Sequence, residues 1–141
     1  MKTVTTNQAS IIAAFGRALL ATIFIFSGLG KIAAPDATIG YIASSGLPFA
    51  PLAFALAVAT ELGGGLLLIV GVKTRLVAAS LAVFSIVTAL AFHHAIGDQN
   101  QLIHLLKNIS MAGGLLQVVA FGAGAFSFDQ RARRSALRPA A

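Results

Sequence analysis

The chain has 141 residues and a net charge of +6, and it is 57% hydrophobic but only 10% charged. Soluble domains contain about 25% charged residues, and a chain of this length cannot hide so much apolar surface from water, so the composition favours a membrane protein. The sequence contains no cysteine, which excludes disulfides, thiolate metal sites and a dithiol relay within this chain.

Four long apolar segments predict an all-α fold, a transmembrane four-helix bundle. Each is about as long as the roughly 20 residues that cross a bilayer as a helix, and none alternates as a strand would. We expect the proline-rich and polar segments between them to lie at the membrane surface. The predicted spans are residues 11–33, 49–72, 76–96 and 102–126.

The distribution of basic residues predicts the orientation of this bundle. With four spans, both termini lie on one side, and that side collects most of the positive charge, which places both termini in the cytoplasm. The sequence therefore divides into a cytoplasmic segment 1–10, a membrane domain 11–129 and a basic cytoplasmic tail 130–141, which we expect to contact anionic lipid. The basic residues on this side are Lys2, Lys73, Arg75, Arg131, Arg133, Arg134 and Arg138.

Two similar glycine-containing stretches suggest an internal repeat. "GGLLLIVG" at 64–71 resembles "GGLLQVVAFG" at 113–122, and a duplication would give two parallel helical-hairpin repeats. The alternative is that Gly-Gly-Leu-Leu is simply common in membrane helices. In either case small residues allow helices to approach closely, and the predicted packing positions are Gly28, Gly64, Gly65, Gly113 and Gly114.

Glu61, the only glutamate, lies near the middle of the second predicted span. A charged carboxylate at that depth costs at least about 2.5 kcal/mol, so it must face the bundle interior, pair with a cation or carry a proton. Arg17 in the first span is the predicted partner, and the alternative for Arg17 is snorkelling to the cytoplasmic interface. Glu61 is interpreted either as part of a packing seam or as a site for a proton or a small polar head group.

The opposite side of the predicted bundle carries a second group of polar residues. Lys31 ends the first span there, and His104, Lys107 and Asn108 begin the fourth. Metal binding, a hydrogen-bonding polar rim and an electropositive pocket for a quinone or an anionic ligand are the alternatives. Adjacent His93 and His94 point apart on a helix, so we predict no metal site.

Several motifs in chain order resemble one known family. They are "RALL" at Arg17, "FSGLGK" ending at Lys31, "ELGGGLLLIVGVKTR" from Glu61, "HLLKNISMAGGLL" from His104 and "FGAGAFSFD" ending at Asp129. This ordered set resembles the DoxX family of small bacterial four-helix proteins of the inner membrane. Arg17, Lys31, Glu61 and Asn108 match the polar positions that recur in that family.

The resemblance implies a membrane-redox context. Some relatives are subunits of membrane oxidoreductases, including a thiosulfate:quinone oxidoreductase, and others are linked to oxidative-stress complexes. Quinone is therefore the candidate cofactor. The candidate partners are the lipid bilayer, oxidoreductase subunits and further copies of the chain, with no nucleic acid.

Three functions remain open at this point. The first is an accessory, quinone-interacting or non-catalytic subunit rather than a stand-alone enzyme. The second is a structural membrane scaffold without a ligand, in which the buried charges only hold helices together. The third is a small proton-coupled transporter.

Overall fold

The computed structural model describes residues 6–137, and over that range the protein is all-helical with four helices long and apolar enough to cross a membrane, as predicted. Residues 1–5 of the predicted 1–10 segment, which include Lys2, and residues 138–141 of the predicted tail, which include Arg138, lie outside the described residues. The first, third and fourth spans are α1 (Thr6–Ala33), α5 (Thr74–Phe92) and α6 (Gln99–Phe121). The second span consists of α3 (Ala50–Val58), a π-helical turn (Ala59–Gly63) and α4 (Gly64–Val70).

Successive spans run in opposite directions, so their starts and ends gather at two ends of the bundle. The basic end is where α1 begins, where α4 is followed by α5 and where α6 finishes, and it carries Lys73 and Arg75. The histidine end is where α1 and α5 finish and α6 begins, and it carries His93 and His104. Each predicted group of polar residues thus lies at its own end of one helical bundle.

Two short helices lie outside the spans, in segments predicted as surface connections or tail. α2 (Pro35–Ser44) begins with a proline in its first turn, a position where the missing N–H costs nothing. α7 (Phe128–Ala136) is capped by Ser127, whose hydroxyl accepts a hydrogen bond from the Gln130 amide at 3.2 Å. The helix in the α2 segment was not predicted; the sequence placed that segment only outside the spans, at the membrane surface.

The core is built from small and branched residues where α1, α4, α5 and α6 meet. Ala21, Leu68, Leu81 and Leu115 are completely buried there. Many large apolar side chains remain exposed on the outer faces of the spans, as expected where lipid rather than water is the solvent.

The predicted packing glycines contact different neighbours. An added Cβ would lie 2.7 Å from Leu62 at Gly28, 2.9 Å from Leu81 at Gly64, 2.8 Å from Ile25 at Gly65 and 3.1 Å from Leu20 at Gly114. The second span therefore approaches α1 through one glycine and α5 through the next. Gly113 is exposed, and an added Cβ would meet nothing within 4 Å, so a packing role for Gly113 within this chain is wrong.

Candidate functional site

Glu61 forms an ion pair inside the bundle, and its partner is Lys31. The Lys31 ammonium donates to Glu61 Oε1 at 2.9 Å, and the two side chains are 24% and 6% exposed. Ser27 completes a triangle, since its hydroxyl donates to the same oxygen at 3.1 Å and accepts from the Lys31 ammonium at 2.8 Å. The other carboxylate oxygen, Oε2, is buried without a hydrogen-bond partner in the part of the chain that the structure describes.

The backbone around Glu61 is π-helical. The turn Ala59–Gly63 lies between two α-helical halves of the second span, and such a turn holds one more residue than an α-helical turn and rotates the side chains that follow. Single π turns in α-helices are frequently found at functional sites. Here the turn places the only glutamate of the chain against α1.

The predicted Arg17–Glu61 pair was wrong, because the two residues lie at different depths. Glu61 lies level with Gly28, where an added Cβ would come within 3.3 Å of the Glu61 Cβ. Arg17 is eleven residues earlier on α1, about 16 Å along the helix at 1.5 Å per residue. No arginine side chain spans that distance, whereas Lys31 is less than one helical turn from the level of Glu61.

Arg17 instead binds carbonyl groups near the basic end. Its guanidinium donates to the carbonyls of Leu68 at 2.7 Å, Ile69 at 3.0 Å and Phe126 at 2.7 Å. The first two belong to the last turn of α4, whose carbonyls have no partner within the helix and favour a positive charge. Arg17 is 1% exposed, so it neither snorkels nor joins the Glu61 cluster; it fastens α4 and the segment before α7 to α1.

A cavity of about 850 Å³ lies between the helices toward the histidine end. We call it the membrane cavity. Most of its wall is apolar, contributed by α1, α2, α3, α5 and α6, and the ion pair forms part of it. The polar residues in the wall are Ser27, Lys31, Thr38, Tyr41, Glu61, Thr88, His93, His104, Lys107 and Asn108.

Five of the six residues predicted as a buried polar, ligand or proton site therefore line one cavity, and Arg17 does not. The five are Lys31, Glu61, His104, Lys107 and Asn108. The other polar residues of the wall were not predicted as part of this site, and Ser27 and Tyr41 are two of them. Ser27 could have been found, because it precedes Lys31 by one helical turn on the same face; Tyr41 could not, because its segment was not recognised as a helix.

Aromatic and imidazole rings stack at the histidine end of the membrane cavity. The rings of His93 and His104 stack with centroids 4.9 Å apart, and Gln101 hydrogen-bonds His93 Nδ1 at 3.0 Å. Tyr41 on α2 stacks on Phe92 at 5.5 Å. These contacts hold α2 and the first turn of α6 over this end of the cavity.

Asp129 connects α7 to the start of α5 at the basic end, a role that the sequence did not reveal. Its carboxylate accepts hydrogen bonds from the Lys73 amide at 2.7 Å and from the Thr74 amide and hydroxyl at 2.8 and 2.7 Å. Burial by itself would raise the pKa of Asp129, but these hydrogen bonds and the positive charge of Arg17 hold the pKa below its ordinary value. α7 is thereby fastened to the turn between the second and third spans.

These features define a class of protein: a small four-span membrane protein with a buried ion pair in the wall of an intramembrane cavity. The DoxX family model matches residues 12–94, and the chain belongs to the DoxX family. The match covers the first three spans, so Lys31 and Glu61 lie inside it and the polar residues of α6 lie beyond it.

Two curated relatives extend the similarity to most of the chain. The chain is 34% identical to "Inner membrane protein YqjF" of Escherichia coli (strain K12) over 114 residues, 81% of this chain and 86% of the relative. It is also 34% identical to "Inner membrane protein YphA" of the same organism over 122 residues, 82% of this chain and 86% of the relative. No solved structure matches the chain.

Proposed function

We propose that this DoxX protein is an inner-membrane subunit that binds a quinone or quinol head group in the membrane cavity and presents it to a membrane oxidoreductase. The observation that carries the proposal is the cavity of about 850 Å³ with the Lys31–Glu61 pair in its wall. Ligand cavities typically measure about 300–1,000 Å³ and combine apolar walls with a few placed polar groups. The membrane cavity has both properties.

The residues present suit a ring that carries oxygen atoms. Lys31, part-exposed at 24%, can donate to a carbonyl oxygen while it stays paired with Glu61. Within residues 6–137 no group donates to Glu61 Oε2, and such a buried acceptor costs about 1–3 kcal/mol. A quinol hydroxyl would supply that donor after rotation of the carboxylate, whose terminal torsion is soft.

The apolar wall fits the rest of such a ligand. Phe24, Phe84 and Met111 lie in the wall beside small residues such as Ala57, and flat rings pack well against aromatic and thioether groups. When bound, the quinone would supply reversible two-electron, two-proton chemistry; the chain would bind it, orient it and shield it from water. Since the sequence contains no cysteine, any thiol-dependent step would belong to a partner.

The test is to purify the protein in mild detergent and to quantify co-extracted quinone by chromatography and mass spectrometry. Glu61→Gln and Lys31→Met should each lower the quinone content about tenfold, as expected when a charged hydrogen-bond partner worth about 1.5–3 kcal/mol is lost. Arg134→Gln removes a charge on exposed α7 and should leave the content unchanged.

A matched pair of alanine substitutions tests the cavity itself. Ala57→Leu adds bulk inside the membrane cavity, whereas Ala55→Leu adds the same bulk on an exposed face of the same helix. Only Ala57→Leu should reduce quinone content. A native protein that contains no quinone and takes up none from added short-chain quinone refutes the proposal.

We also propose that the basic end faces the cytoplasm. Lys73, Arg75 and the arginines of α7 lie at that end, and positive charge is retained on the cytoplasmic side. Because the sequence has no native cysteine, single substitutions Ser135→Cys and Gln99→Cys give clean labelling sites at the two ends. A membrane-impermeant maleimide applied outside spheroplasts should label only Gln99→Cys, and labelling of Ser135→Cys alone would reverse the orientation.

A further inference from the structure

A second cavity, of about 760 Å³, lies at the basic end between the start of α5, the connection from α6 to α7 and α7 itself. We call it the basic pocket. Lys73, Arg75 and Arg133 contribute to its wall. Across residues 6–137, none of these three cations has a carboxylate within ion-pair distance. Three unpaired cations around one concavity are an electrostatic trap for an anion.

Asp129 also lies in the wall and contributes one negative charge. Both of its carboxylate oxygens accept hydrogen bonds from the Lys73 and Thr74 backbone and the Thr74 hydroxyl. These hydrogen bonds fix the position of the carboxylate in the turn but leave its charge in place. Because three cations outnumber this one carboxylate in the wall, the pocket keeps a net positive charge.

Arg75 is held in position at this pocket by the backbone of the α6–α7 connection. Its guanidinium donates to the Ala120 carbonyl at 3.3 Å. Gly122 has φ +82°, and an added Cβ there would lie 3.4 Å from Arg75 Nε, so the guanidinium packs directly against a backbone bend. A side chain restrained in this way loses less conformational entropy when it binds an anion.

The pocket also has an apolar margin at the level of the membrane surface. Leu76 and Phe121 line it and are 65% and 81% exposed. They lie in the first turn of α5 and at the last residue of α6, the positions where spans leave the hydrocarbon layer for the head-group region. A ligand here meets positive charge on one side and acyl chains on the other.

We propose that the basic pocket binds the phosphodiester head group of an anionic phospholipid, with the acyl chains lying over Leu76 and Phe121. Arg75 and Arg133 bind the phosphate, and guanidinium groups match its paired oxygens. Lys73 adds a third charge. The site is separate from the membrane cavity at the histidine end, so it does not depend on the proposed quinone ligand.

The experiment titrates the purified full chain in detergent with phosphatidylglycerol and counts bound lipid by native mass spectrometry, with zwitterionic phosphatidylcholine as the reference lipid. Each cation near an anionic membrane contributes about fivefold in affinity. Arg75→Gln with Arg133→Gln should therefore weaken phosphatidylglycerol binding about 25-fold and leave phosphatidylcholine binding unchanged.

The matched control removes the same charge from the same end. Arg131→Gln with Arg134→Gln alters two α7 arginines that do not line the pocket, and it should weaken binding less than threefold. Equal losses in the two double variants would mean a diffuse surface charge and would overturn the proposal. Arg133→Gln alone lies on an exposed helix and should weaken phosphatidylglycerol binding about fivefold. This single variant still tests the proposal if the Arg75 variant fails to fold.

Inorganic phosphate distinguishes a lipid site from a site for the free anion. Millimolar phosphate should leave the bound phosphatidylglycerol in place, because the phosphate lacks the acyl chains that pack on Leu76 and Phe121. Complete displacement by phosphate, or equal binding of phosphatidylcholine, would refute a phospholipid site.

Discussion

Removing the charges of Lys31 and Glu61 one at a time and then together measures how strongly the ion pair joins α1 to the second span. The variants are Lys31→Met, Glu61→Gln and the double variant. Methionine keeps the length of the lysine stem without its charge, and glutamine keeps an oxygen that Ser27 can reach. The cycle therefore isolates the interaction between the two charges from changes in shape.

We expect the two single variants to lower the free energy of unfolding by different amounts. Lys31→Met leaves a carboxylate that is only 6% exposed with the Ser27 hydroxyl as its donor, and an uncompensated buried charge costs about 3 kcal/mol. Glu61→Gln leaves an ammonium that is 24% exposed and can turn toward the cavity mouth, so we expect a cost of about 2 kcal/mol. The double variant buries neither charge and should also cost about 2 kcal/mol, which gives a coupling energy of about 3 kcal/mol.

The assay is reversible unfolding in mixed dodecyl maltoside and SDS micelles, followed by far-UV circular dichroism because the chain has no tryptophan and one tyrosine. Arg131→Gln combined with Glu61→Gln is the control cycle, since these sites lie near opposite ends of the bundle and should be additive. Additive costs for Lys31 and Glu61, with a coupling energy below about 0.5 kcal/mol, would show that the contact at 2.9 Å does not stabilise the bundle.

Three further predictions concern the basic end. Arg17→Lys should destabilise the protein by about 3 kcal/mol in the same unfolding assay, because one ammonium cannot reproduce the guanidinium's bonds to three carbonyls; a loss no larger than that of Arg134→Gln would contradict this. Gly71→Ala should cost more than about 2 kcal/mol, since Gly71 has φ +77° and an added Cβ would lie 2.5 Å from Ser127 Cβ; a near-neutral substitution would contradict the described turn. The pKa of Asp129 is lowered below its ordinary value of 3.8, so its stabilisation is complete above that value and is lost as pH falls through the folded pKa. Protection factors of the α7 amides, taken relative to the intrinsic exchange rate at each pH, should therefore fall at acid pH in the native protein, whereas Asp129→Asn should show low protection at every pH; an acid response that persists in Asp129→Asn would assign the effect to another group.

The spans could be predicted because membrane crossing requires long apolar segments, and such segments are visible directly in the sequence. The second span was predicted at 49–72 and is observed at Ala50–Val70. The fourth span, α6, begins earlier than its apolar segment because Asp98 caps it, accepting a hydrogen bond from the Gln101 amide at 2.9 Å. That start is visible in sequence as an Asp followed three residues later by a Gln, but apolar length alone does not show it.

The ion-pair partner could not be predicted in the same way. Assigning Arg17 to Glu61 compared depths measured from the helix ends, which assumes that neighbouring spans start at the same level and remain regular. The π turn Ala59–Gly63 breaks the regularity, and Gly28 brings Glu61 close to the other end of α1. Asp129 escaped notice for a related reason: its partners Lys73 and Thr74 are distant in sequence, and no local pattern encodes that contact.

The two cations of α1, Arg17 and Lys31, have different implications for function. The contacts of Arg17 account for its presence, because it donates to carbonyls in the last turn of α4 that have no partner within the helix. Lys31 and Glu61 are not explained in that way. A buried ion pair is often no more stabilising than apolar residues of similar volume, and this pair lies beside a cavity with one carboxylate oxygen unpartnered. A scaffold could have used leucines at both positions. The physical case for a ligand therefore rests on this pair. Measuring unfolding and quinone content on the same Lys31 and Glu61 variants separates the two roles. If the protein is a scaffold, the variants lose stability and the native protein contains no ligand; if it is a quinone subunit, the variants lose more quinone than their loss of stability explains.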